Sequence, residues 1–432
     1  MRDMSAADVV SPNAAAIQPV AAPERIPVID LLRGWALLGI LTVNMEFFSW
    51  PLSYIFFPQQ WPSPADTVVE TGIKVFAQGK FYTLFSTLFG LGFSFFLLKG
   101  ERAGKSAMGT YVRRILVLLV VGLIHGYLIW MGDILTLYAV TAVIMLLFRK
   151  AQPKTLVIAA VICTTLPLLM MLTGAVGGAM DEKTRIEIEK STKENEAEFK
   201  RMSDSALRTY PTGTFTEVTR QRTWEFNAFW TYVPFFGPGV LGMFLMGLAI
   251  GRKRYLHNAA DHLPLFRKTL LIGAGLGIPL SAYAVWGSTQ TSMMGPSFLG
   301  AAVQTAMAFG NPLLAYAYAS ALLLLYHQAG WAQRLHPMVC AGRMALTNYL
   351  SQSLICTFIF YSHGLGQYGK ITPKYFPFII LSIYAAQLVW SPWWLARFQF
   401  GPAEWLWRTL TYGKAQPMRL PGSEKYNVQS TK

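Results

Sequence analysis

An acid and an arginine stand three residues apart at the start of the first long apolar run of this 432-residue chain. Asp30 and Arg33 open a run that continues to Phe48. Burying either charge in hydrocarbon costs roughly 2.5 to 3.5 kcal/mol on insertion scales, so ionisable residues inside a membrane helix indicate a functional site. The same spacing places both side chains on one helical face, where they could simply pair and anchor the helix. The sequence leaves both interpretations open.

A histidine lies inside another apolar run. At ~1.5 Å per residue, His125 is about 20 Å from Val112, in the outer third of a bilayer. Neutral imidazole is a natural general base for a hydroxyl or amine nucleophile. Asp133 could orient the ring or bind an acceptor hydroxyl, but in one unbroken helix the two would lie ~12 Å apart, so contact requires the chain to fold back at Gly132. The alternative role for His125 is a hydrogen bond between helices.

Small residues mark close packing in the same region of the sequence. Gly122 and Gly126 flank His125 one turn apart, which leaves room beside the imidazole for a helix or a ligand. Ser86, Gly90 and Ser94 recur every four residues, which predicts a ridge for helix packing.

Further polar residues stand within or beside apolar runs. Asn348 and Gln352 share a helical face with Arg343 at its entrance, and they could line a substrate passage or join helices. The candidate catalytic residues are His125, Asp133, Asp30 and Arg33, and the candidate cofactor-binding residues are Arg113, Arg114, Arg343, Asn348 and Gln352.

Composition assigns the chain to the multi-pass membrane proteins. Hydrophobic residues make up 53% of it and charged residues 14%, and the apolar blocks are long enough to cross a bilayer. We predict an all-α bundle of about ten transmembrane helices, with a tight turn at Met131–Gly132 and a kink or re-entrant break at Asn311–Pro312. The predicted spans are 27–48, 81–98, 112–130, 133–148, 156–172, 233–250, 270–284, 299–326, 345–361 and 375–395.

Lysine and arginine follow the second, fourth and sixth predicted spans and recur in the tail. Because basic loops stay on the cytoplasmic side, we expect both termini in the cytoplasm. The formal charge of +15 is then mainly a topology signal, and it does not indicate nucleic-acid binding. The spacing of Phe199, Met202 and Ala206 predicts an amphipathic helix in the long polar insertion.

The predicted organisation has five parts. They are a disordered cytoplasmic leader (1–24), transmembrane helices one to five (25–179), an extracytoplasmic loop (180–229), helices six to ten (230–412) and a cytoplasmic tail (413–432). The first span is too long for a signal-peptide core, and no small-residue cleavage site follows it, so it should be retained. Three cysteines without CxxC spacing predict neither a disulfide framework nor a metal site.

Five segments together resemble the YeiB family of bacterial multi-pass membrane proteins. They are VIDLLRGWALLGILTVN (28–44), GKFYTLFSTLFGLGF (79–93), GLIHGYLIWMGDILTLYA (122–139), AGRMALTNYLSQS (341–353) and GPAEWLWRTLTYG (401–413). Relatives of that family include membrane acyltransferases of the heparan-alpha-glucosaminide N-acetyltransferase and sugar O-acyltransferase kind, and the DxxRG at Asp30 is similar to their first-helix motif. The resemblance implies a protein of the bacterial cytoplasmic membrane that takes acyl groups from cytoplasmic acyl-CoA.

Those acyltransferases carry a catalytic histidine in the early extracytoplasmic region, and segment 45–80 contains none. His125 is the nearest substitute on the outer side. His363, at the outer end of the ninth predicted span, is the next.

We therefore predict an enzyme that moves an acyl group, acetyl in the simplest case, from cytoplasmic acyl-CoA to an extracytoplasmic sugar or other small acceptor, with no metal and no nucleic-acid partner. Arg113 and Arg114 would bind the CoA phosphates, because arginine forks match phosphate oxygens. Asp30 and Arg33 would shape the path of the thioester arm, and His125 would activate the acceptor. The alternative is a small-molecule transporter or exporter in which the same ionisable residues form a route. A homodimer in the lipid bilayer is left open.

Overall fold

The computed structural model describes residues 26–55, 60–102, 108–293 and 295–420, which form helices and an isolated β-bridge between Phe398 and Arg419. The predicted leader 1–24 and the tail beyond residue 420 lie outside the described residues. The helices are α1 Pro27–Ser49, α2 Pro64–Phe76, α3 Lys80–Arg102, α4 Met108–Ile124, α5 Leu135–Met145, α6 Pro153–Met180, α7 Glu182–Thr212, α8 Phe215–Arg252, α9 Leu263–Ser288, α10 Phe298–Tyr326, α11 Trp331–Arg334, α12 His336–Arg343, α13 Ala345–Phe360, α14 Phe376–Leu395 and α15 Pro402–Tyr412.

Eight helical stretches of the described chain are long and apolar enough to cross a membrane. A helix needs about 20 apolar residues to do so, and each stretch contains one of the predicted spans or most of it. They are Pro27–Ser49, Pro64–Leu98, Met108–Ile129, Pro153–Met180, Phe215–Arg252, Ala259–Ser288, Phe298–Tyr326 and Pro373–Leu395. The all-α, multi-pass membrane architecture is confirmed.

The predicted count of about ten spans is not confirmed, because 133–148 and 345–361 form shorter helices. Helix α5 has 11 residues and α13 has 16. Before α5, the chain leaves the helical conformation after Ile129. Before α13, Met344 interrupts the helix with φ −109° and ψ 34°. The cytoplasmic location of the termini stays a prediction.

The segment 180–229, predicted as an extracytoplasmic connection with an amphipathic helix, is largely helical. Asp181 accepts a hydrogen bond from the Thr184 N–H at the start of α7, and Thr214 and Glu217 form a capping box at the start of α8. Such caps are sequence signals for helix starts. The predicted amphipathic residues of α7 are buried: Phe199, Met202 and Ala206. Its extracytoplasmic position stays a prediction.

Helices α3 and α8 meet backbone to backbone, which confirms the predicted small-residue ridge. A Cβ atom on Gly90 would stand 1.9 Å from the Phe244 carbonyl oxygen, and one on Gly247 would stand 1.9 Å from the Thr87 carbonyl oxygen. In a bilayer, such contacts replace the hydrophobic driving force that helices have in water.

The start of α1 is enclosed in the same way by α12 and α14. A Cβ on Gly342 would stand 1.8 Å from the Asp30 carbonyl oxygen, and one on Gly34 would stand 2.1 Å from that of Met338. Tyr384 donates a 2.8 Å hydrogen bond to the Gly34 carbonyl. The first helix is therefore fixed at the level of its charged pair.

Helix α10 runs through Pro312 without a re-entrant break. The neighbouring Asn311 side chain packs against Gly79, the residue that turns the chain between α2 and α3. Gly79 has φ +84°, and a Cβ there would stand 2.3 Å from Asn311 Nδ2. Glycine is required at this turn for both reasons.

Candidate functional site

His125 and Asp133 are in direct contact. The imidazole Nδ1 lies 2.9 Å from Asp133 Oδ1, and both residues are 1% exposed. Residues His125–Ile129 form a π-helical turn, and the chain then folds back to start α5. The predicted fold-back at Gly132 thus occurs, and it removes the ~12 Å separation that a continuous helix would impose. We refer to these two residues as the histidine pair.

Asp133 is fixed by the start of α5. Its carboxylate accepts hydrogen bonds from the backbone N–H groups of Leu135 (3.1 Å) and Thr136 (2.7 Å). Because the carboxylate is a pure acceptor when ionised, the imidazole nitrogen facing it is the protonated one. The other ring nitrogen, Nε2, then carries the free lone pair.

The surroundings of Nε2 are aromatic and closed. The Trp130 and Tyr349 rings have centroids 6.2 Å and 5.2 Å from that of His125. Nε2 is buried and has no hydrogen-bond partner within the described part of the chain. A buried polar atom left in this way calls for a ligand or water to complete it.

The two glycines beside His125 make room for protein. A Cβ on Gly122 would stand 2.5 Å from the Thr136 nitrogen, and one on Gly126 would stand 2.5 Å from the Phe226 ring. The space that the sequence analysis assigned to a helix or a ligand is occupied by α5 and α8.

A buried arginine that the sequence analysis did not single out holds the π-helical turn. Arg222 of α8 donates from Nε to the Tyr127 carbonyl (2.8 Å) and from Nη1 to the Ile129 carbonyl (3.1 Å). These carbonyls lie where the helix ends, and unsatisfied backbone groups are costly at membrane depth. Three residues along α8, Glu225 accepts hydrogen bonds from Tyr210 of α7 and from Gln221. The sequence pattern that could have indicated this arginine is the Arg-x-x-Glu spacing of Arg222 and Glu225 within an aromatic run.

His363, the second histidine candidate, is exposed and outside the membrane-spanning helices. Its ring lies 5.9 Å from that of Tyr361. Partial desolvation of the ring and the positive charge of Arg222 lower the pKa of His363. No acid holds this ring among the described ion pairs, unlike that of His125.

Asp30 and Arg33 pair with each other at the beginning of α1. Arg33 Nη1 lies 3.0 Å from Asp30 Oδ1. The Arg33 side chain is 34% exposed to solvent and that of Asp30 is 12% exposed. The predicted i,i+3 contact is present. The part of the guanidinium that does not face Asp30 is available to another group.

Two further arginines lie near enough to Arg33 for its charge to act on them. Arg114 of α4 stacks 4.2 Å above the Trp407 ring, and Arg408 of α15 lies 4.5 Å above the Phe400 ring. Burial, then the like charge of Arg114 and more weakly that of Arg33, lower the pKa of Arg408, against the opposing effects of Tyr412 and Glu404.

Arg343 of α12 follows Gly342, which packs against the Asp30 carbonyl oxygen. Burial raises the pKa of the Cys340 thiol, and the charges that act on it are those of Arg343 and Asp30. The Nε atom of Arg343 is buried and receives no protein acceptor from the residues described. We refer to Arg33, Arg114, Arg343 and Arg408 as the arginine cluster.

The remaining predicted cofactor-binding residues, Arg113, Asn348 and Gln352, are not part of the arginine cluster. Arg113 is exposed. Asn348 donates to the Ala341 carbonyl and to Ser391, and Gln352 donates to Gln387, so both amides join α13 to neighbouring helices. The cofactor-binding role of these three residues stays a prediction.

Glu404 of α15 caps α13 from outside that helix. Its carboxylate accepts from the backbone N–H groups of Leu346 (2.6 Å) and Thr347 (3.1 Å) and from the Thr347 hydroxyl. Burial raises the pKa of Glu404, while these hydrogen bonds oppose the rise. The contact spans 58 residues, and for that reason no local pattern predicts it.

The histidine pair and the arginine cluster occupy opposite ends of the bundle. Arg114 and His125 belong to one helical run and are 11 residues apart, which is about 16 Å along its axis. The far end of α1 lies beside the histidine pair, since Phe48 packs on Trp130 with ring centroids 4.0 Å apart. The candidate site is therefore a basic end and a histidine end joined by packed helices.

Comparison with known proteins places this architecture in a family. A family model described as "Protein of unknown function (DUF418)" matches residues 250–414. The uncharacterized protein YeiB of Escherichia coli (strain K12) is 29% identical over 91% of this chain and 98% of its own length. The uncharacterized protein YxaH of Bacillus subtilis (strain 168) is 36% identical over 94% of this chain and 98% of its own length. The chain belongs to the YeiB (DUF418) family.

Another relative, an uncharacterized 39.9 kDa protein from the amylase 3′ region of Bacillus acidopullulyticus, is 28% identical over 94% of this chain and 99% of its own length. No solved structure matches. Because all three relatives match along nearly their full length, the unit shared with these relatives is nearly the whole helical bundle. The sequence-based assignment to the YeiB family is confirmed.

Proposed function

We propose that the protein is an acyltransferase of the bacterial cytoplasmic membrane, which moves an acyl group from cytoplasmic acyl-CoA to an acceptor on the outer side. The observation that carries the proposal is the histidine pair: an imidazole held by a carboxylate at 2.9 Å, buried, with Nε2 unpartnered among the described residues. This is the arrangement of a general base with a positioning residue behind it.

The chemistry follows from the tautomer that Asp133 selects. Nε2 of His125 removes a proton from an acceptor hydroxyl or amine, and the acceptor oxygen or nitrogen attacks the thioester carbonyl carbon. The carbon–sulfur bond breaks, and the departing thiolate takes the proton from Nε2. The products are the acylated acceptor and free CoA thiol. Because His125 is closed to solvent, a neighbouring side chain must move to admit the acceptor.

The arginine cluster supplies the donor end of the proposal. Of the four guanidinium groups, Arg33 pairs with Asp30 and Arg408 feels the charge of Glu404, so four positive charges face two acids. Arginine forks bind phosphate oxygens in pairs, so the cluster suits the phosphates of CoA. A donor that binds here must carry its thioester about 16 Å along the bundle, which suits an acyl group on a long arm.

The test is acyl transfer by the purified protein in nanodiscs, measured as thiol released from acetyl-CoA in the presence of mixed sugar and amine acceptors. We expect His125→Gln, which keeps hydrogen bonding but is no base, to lose turnover by roughly 10²- to 10⁴-fold. Its thermal stabilisation by acetyl-CoA should persist, because the donor phosphates bind at the other end. His363→Gln is the matched control and should retain turnover.

The donor end is tested separately. Acetyl-CoA should raise the thermal midpoint by mass action, and Arg408→Ala and Arg114→Ala should each reduce the shift. Arg114→Lys keeps the positive charge, and it is the control for loss of binding through misfolding of Arg114→Ala. Arg397→Ala removes an exposed arginine stacked on Trp393 and should leave the shift intact. Full turnover in His125→Gln, or no shift at millimolar acetyl-CoA, would contradict the proposal.

A transporter is the second candidate, and buried charges in a membrane-spanning helix favour it. Arg222 and Glu225 of α8 are both 1% exposed, and such residues mark substrate and proton routes. A transporter would move a labelled solute into proteoliposomes without releasing thiol from acetyl-CoA.

A further inference from the structure

Three aromatic rings enclose a small space at the end of α1 that faces away from the arginine cluster. Trp50 and Tyr54 stack with ring centroids 5.3 Å apart, and Trp61 meets them edge-on at 5.2 Å and 6.1 Å. The Trp50 indole N–H is already bonded to the Ile371 carbonyl at 2.8 Å. Because Trp50 and Tyr54 cover one face of each other, their outer faces remain for contact with an occupant.

Two carboxylates line the same space. Glu70 of α2 is neutralised by Lys74, whose Nζ lies 2.8 Å away. Glu46 of α1 has a buried Oε1 atom with no hydrogen-bond partner from the described chain, and the charges that act on it are Lys74 and Glu70. Lys74 forms its described ion pair with Glu70, so Glu46 shares the charge of Lys74 and has no ion pair of its own among the described residues. A carboxyl group buried in this way is stabilised either by a proton or by a cation beside it.

The space is the size of a single small group. The centre of a water-sized group can move through about 10 Å³ in the cavity lined by Glu46, Glu70 and the three rings, which is room for one such group. A divalent metal would need six or more oxygen ligands, and this lining offers two carboxylates among mainly aromatic residues. Ring faces attract cations, and they do so most strongly where water is excluded.

We propose that this cavity, bounded by Glu46, Glu70, Trp50, Tyr54 and Trp61, binds the ammonium head of a primary alkylamine. An –NH₃⁺ group matches the cavity in size, and its charge compensates that of Glu46. Its three N–H groups can donate hydrogen bonds to the carboxylates, which ring faces alone would not satisfy. The first methylene groups of the amine pack on the partly exposed rings. The site takes a primary ammonium and rejects a trimethylammonium, which is too large. The proposal concerns binding and stands apart from acyl transfer.

The probe is n-butylammonium chloride, titrated into the detergent-purified full-length protein at constant ionic strength. Binding is followed by tryptophan fluorescence and by the thermal midpoint. We expect a saturable change for butylammonium, and no saturable change for tetramethylammonium or potassium chloride over the same concentrations.

The variants separate the cavity from general effects of amines. Glu46→Gln keeps the shape of the side chain and should weaken butylammonium binding roughly tenfold or more. Trp61→Leu should abolish it, and Trp61→Tyr, which keeps a ring, should retain weaker binding. Glu187→Gln, which removes an exposed acid on α7, is the matched control and should bind like wild type.

Two results would overturn the proposal. Equal responses to butylammonium, tetramethylammonium and potassium would show that the rings form only an interfacial aromatic belt. Unchanged affinity in folded Glu46→Gln would show that the carboxylate does not receive the cation. Neither result bears on thiol release from acetyl-CoA, so this proposal and the proposed function fail separately.

Discussion

Arg222 reaches across from α8 to the Tyr127 carbonyl, 95 residues earlier in the chain, with a hydrogen bond of 2.8 Å. The same guanidinium bonds the Ile129 carbonyl at 3.1 Å. Between them these bonds satisfy two carbonyls at the end of the π-helical turn that begins with His125. The position of the imidazole therefore depends on a residue of another helix.

Replacing Arg222 should destabilise the protein and reduce turnover together. Arg222→Met removes both bonds to the backbone, and at roughly 1.5 kcal/mol or more for each hydrogen bond from a charged donor the cost is about 3 kcal/mol. Arg222→Lys should recover part of this, because one ammonium cannot reproduce the fork. Thermal unfolding in detergent measures the loss. A wild-type midpoint in Arg222→Met would mean that the π-helical turn holds itself.

Variants of Asp133 should distinguish its role in capping α5 from its role in positioning the His125 ring. Asp133→Ala removes the acceptor for Leu135 and Thr136, which should cost about 1 kcal/mol of stability. Asp133→Asn keeps an acceptor oxygen and should cost less. Both variants should lose most turnover, because neither keeps the carboxylate that selects the His125 tautomer. Stability and thiol release are measured on the same samples, and an active Asp133→Asn would remove the carboxylate from the mechanism.

The glycines between α3 and α8 should not tolerate a methyl group. Gly90→Ala and Gly247→Ala each place a Cβ 1.9 Å from a backbone oxygen, so the helices must separate, at a cost of about 1 to 3 kcal/mol. Gly72→Ala on α2 meets no atom within 4 Å and should be neutral or stabilising by up to about 1 kcal/mol. The folded monodisperse fraction after heating compares the three. Similar losses in all three variants would rule out the packing explanation.

The orientation of the bundle is tested with two exposed lysines. In a background without native cysteines, Lys193→Cys on α7 should react with an impermeant maleimide added to intact cells, and Lys268→Cys on α9 should react only after permeabilisation. The reason is that the basic segment after α8 stays inside. The opposite pattern would reverse every inside and outside assignment, including the side from which acyl-CoA enters.

Acidification should weaken the fold through His363. Its pKa is lowered in the folded protein by partial desolvation and by the charge of Arg222. As pH falls through the ordinary value of about 6.5, the unfolded chain therefore takes up a proton that the folded chain resists. Stability is therefore lost from just above pH 6.5 down to the lowered pKa. The drop in thermal midpoint between pH 7.5 and pH 5.5 should be larger in wild type than in His363→Gln. Equal drops would mean that His363 titrates freely.

Local patterns predicted those parts of the site that depend on nearby residues. The Asp30–Arg33 pair follows from i,i+3 geometry, and the contact of His125 with Asp133 follows from a glycine that lets the chain reverse. The π-helical turn could not be predicted from nearby residues, because Arg222 of α8 donates the hydrogen bonds that satisfy its carbonyl groups.

The arginine cluster illustrates the same limit. The adjacent Arg113 and Arg114 are equivalent in sequence, but only Arg114 turns toward Trp407 of α15. The partner lies 293 residues away, so helix periodicity alone does not distinguish the two arginines. In segment 180–229 the signals are local: the spacing of Phe199, Met202 and Ala206 predicts a helix, and Asp181 and Thr214 cap the starts of α7 and α8.

The cap that Glu404 places on α13 has a consequence for how the chain is made. Leu346 and Thr347 leave the ribosome 58 and 57 residues before the carboxylate that binds their amide groups. Until then these amides have to find other acceptors or water while the translocon releases the preceding helices. The entrance of α13 is thus completed at a late stage of synthesis, and a chain released before Glu404 would carry an unfinished helix start into the lipid.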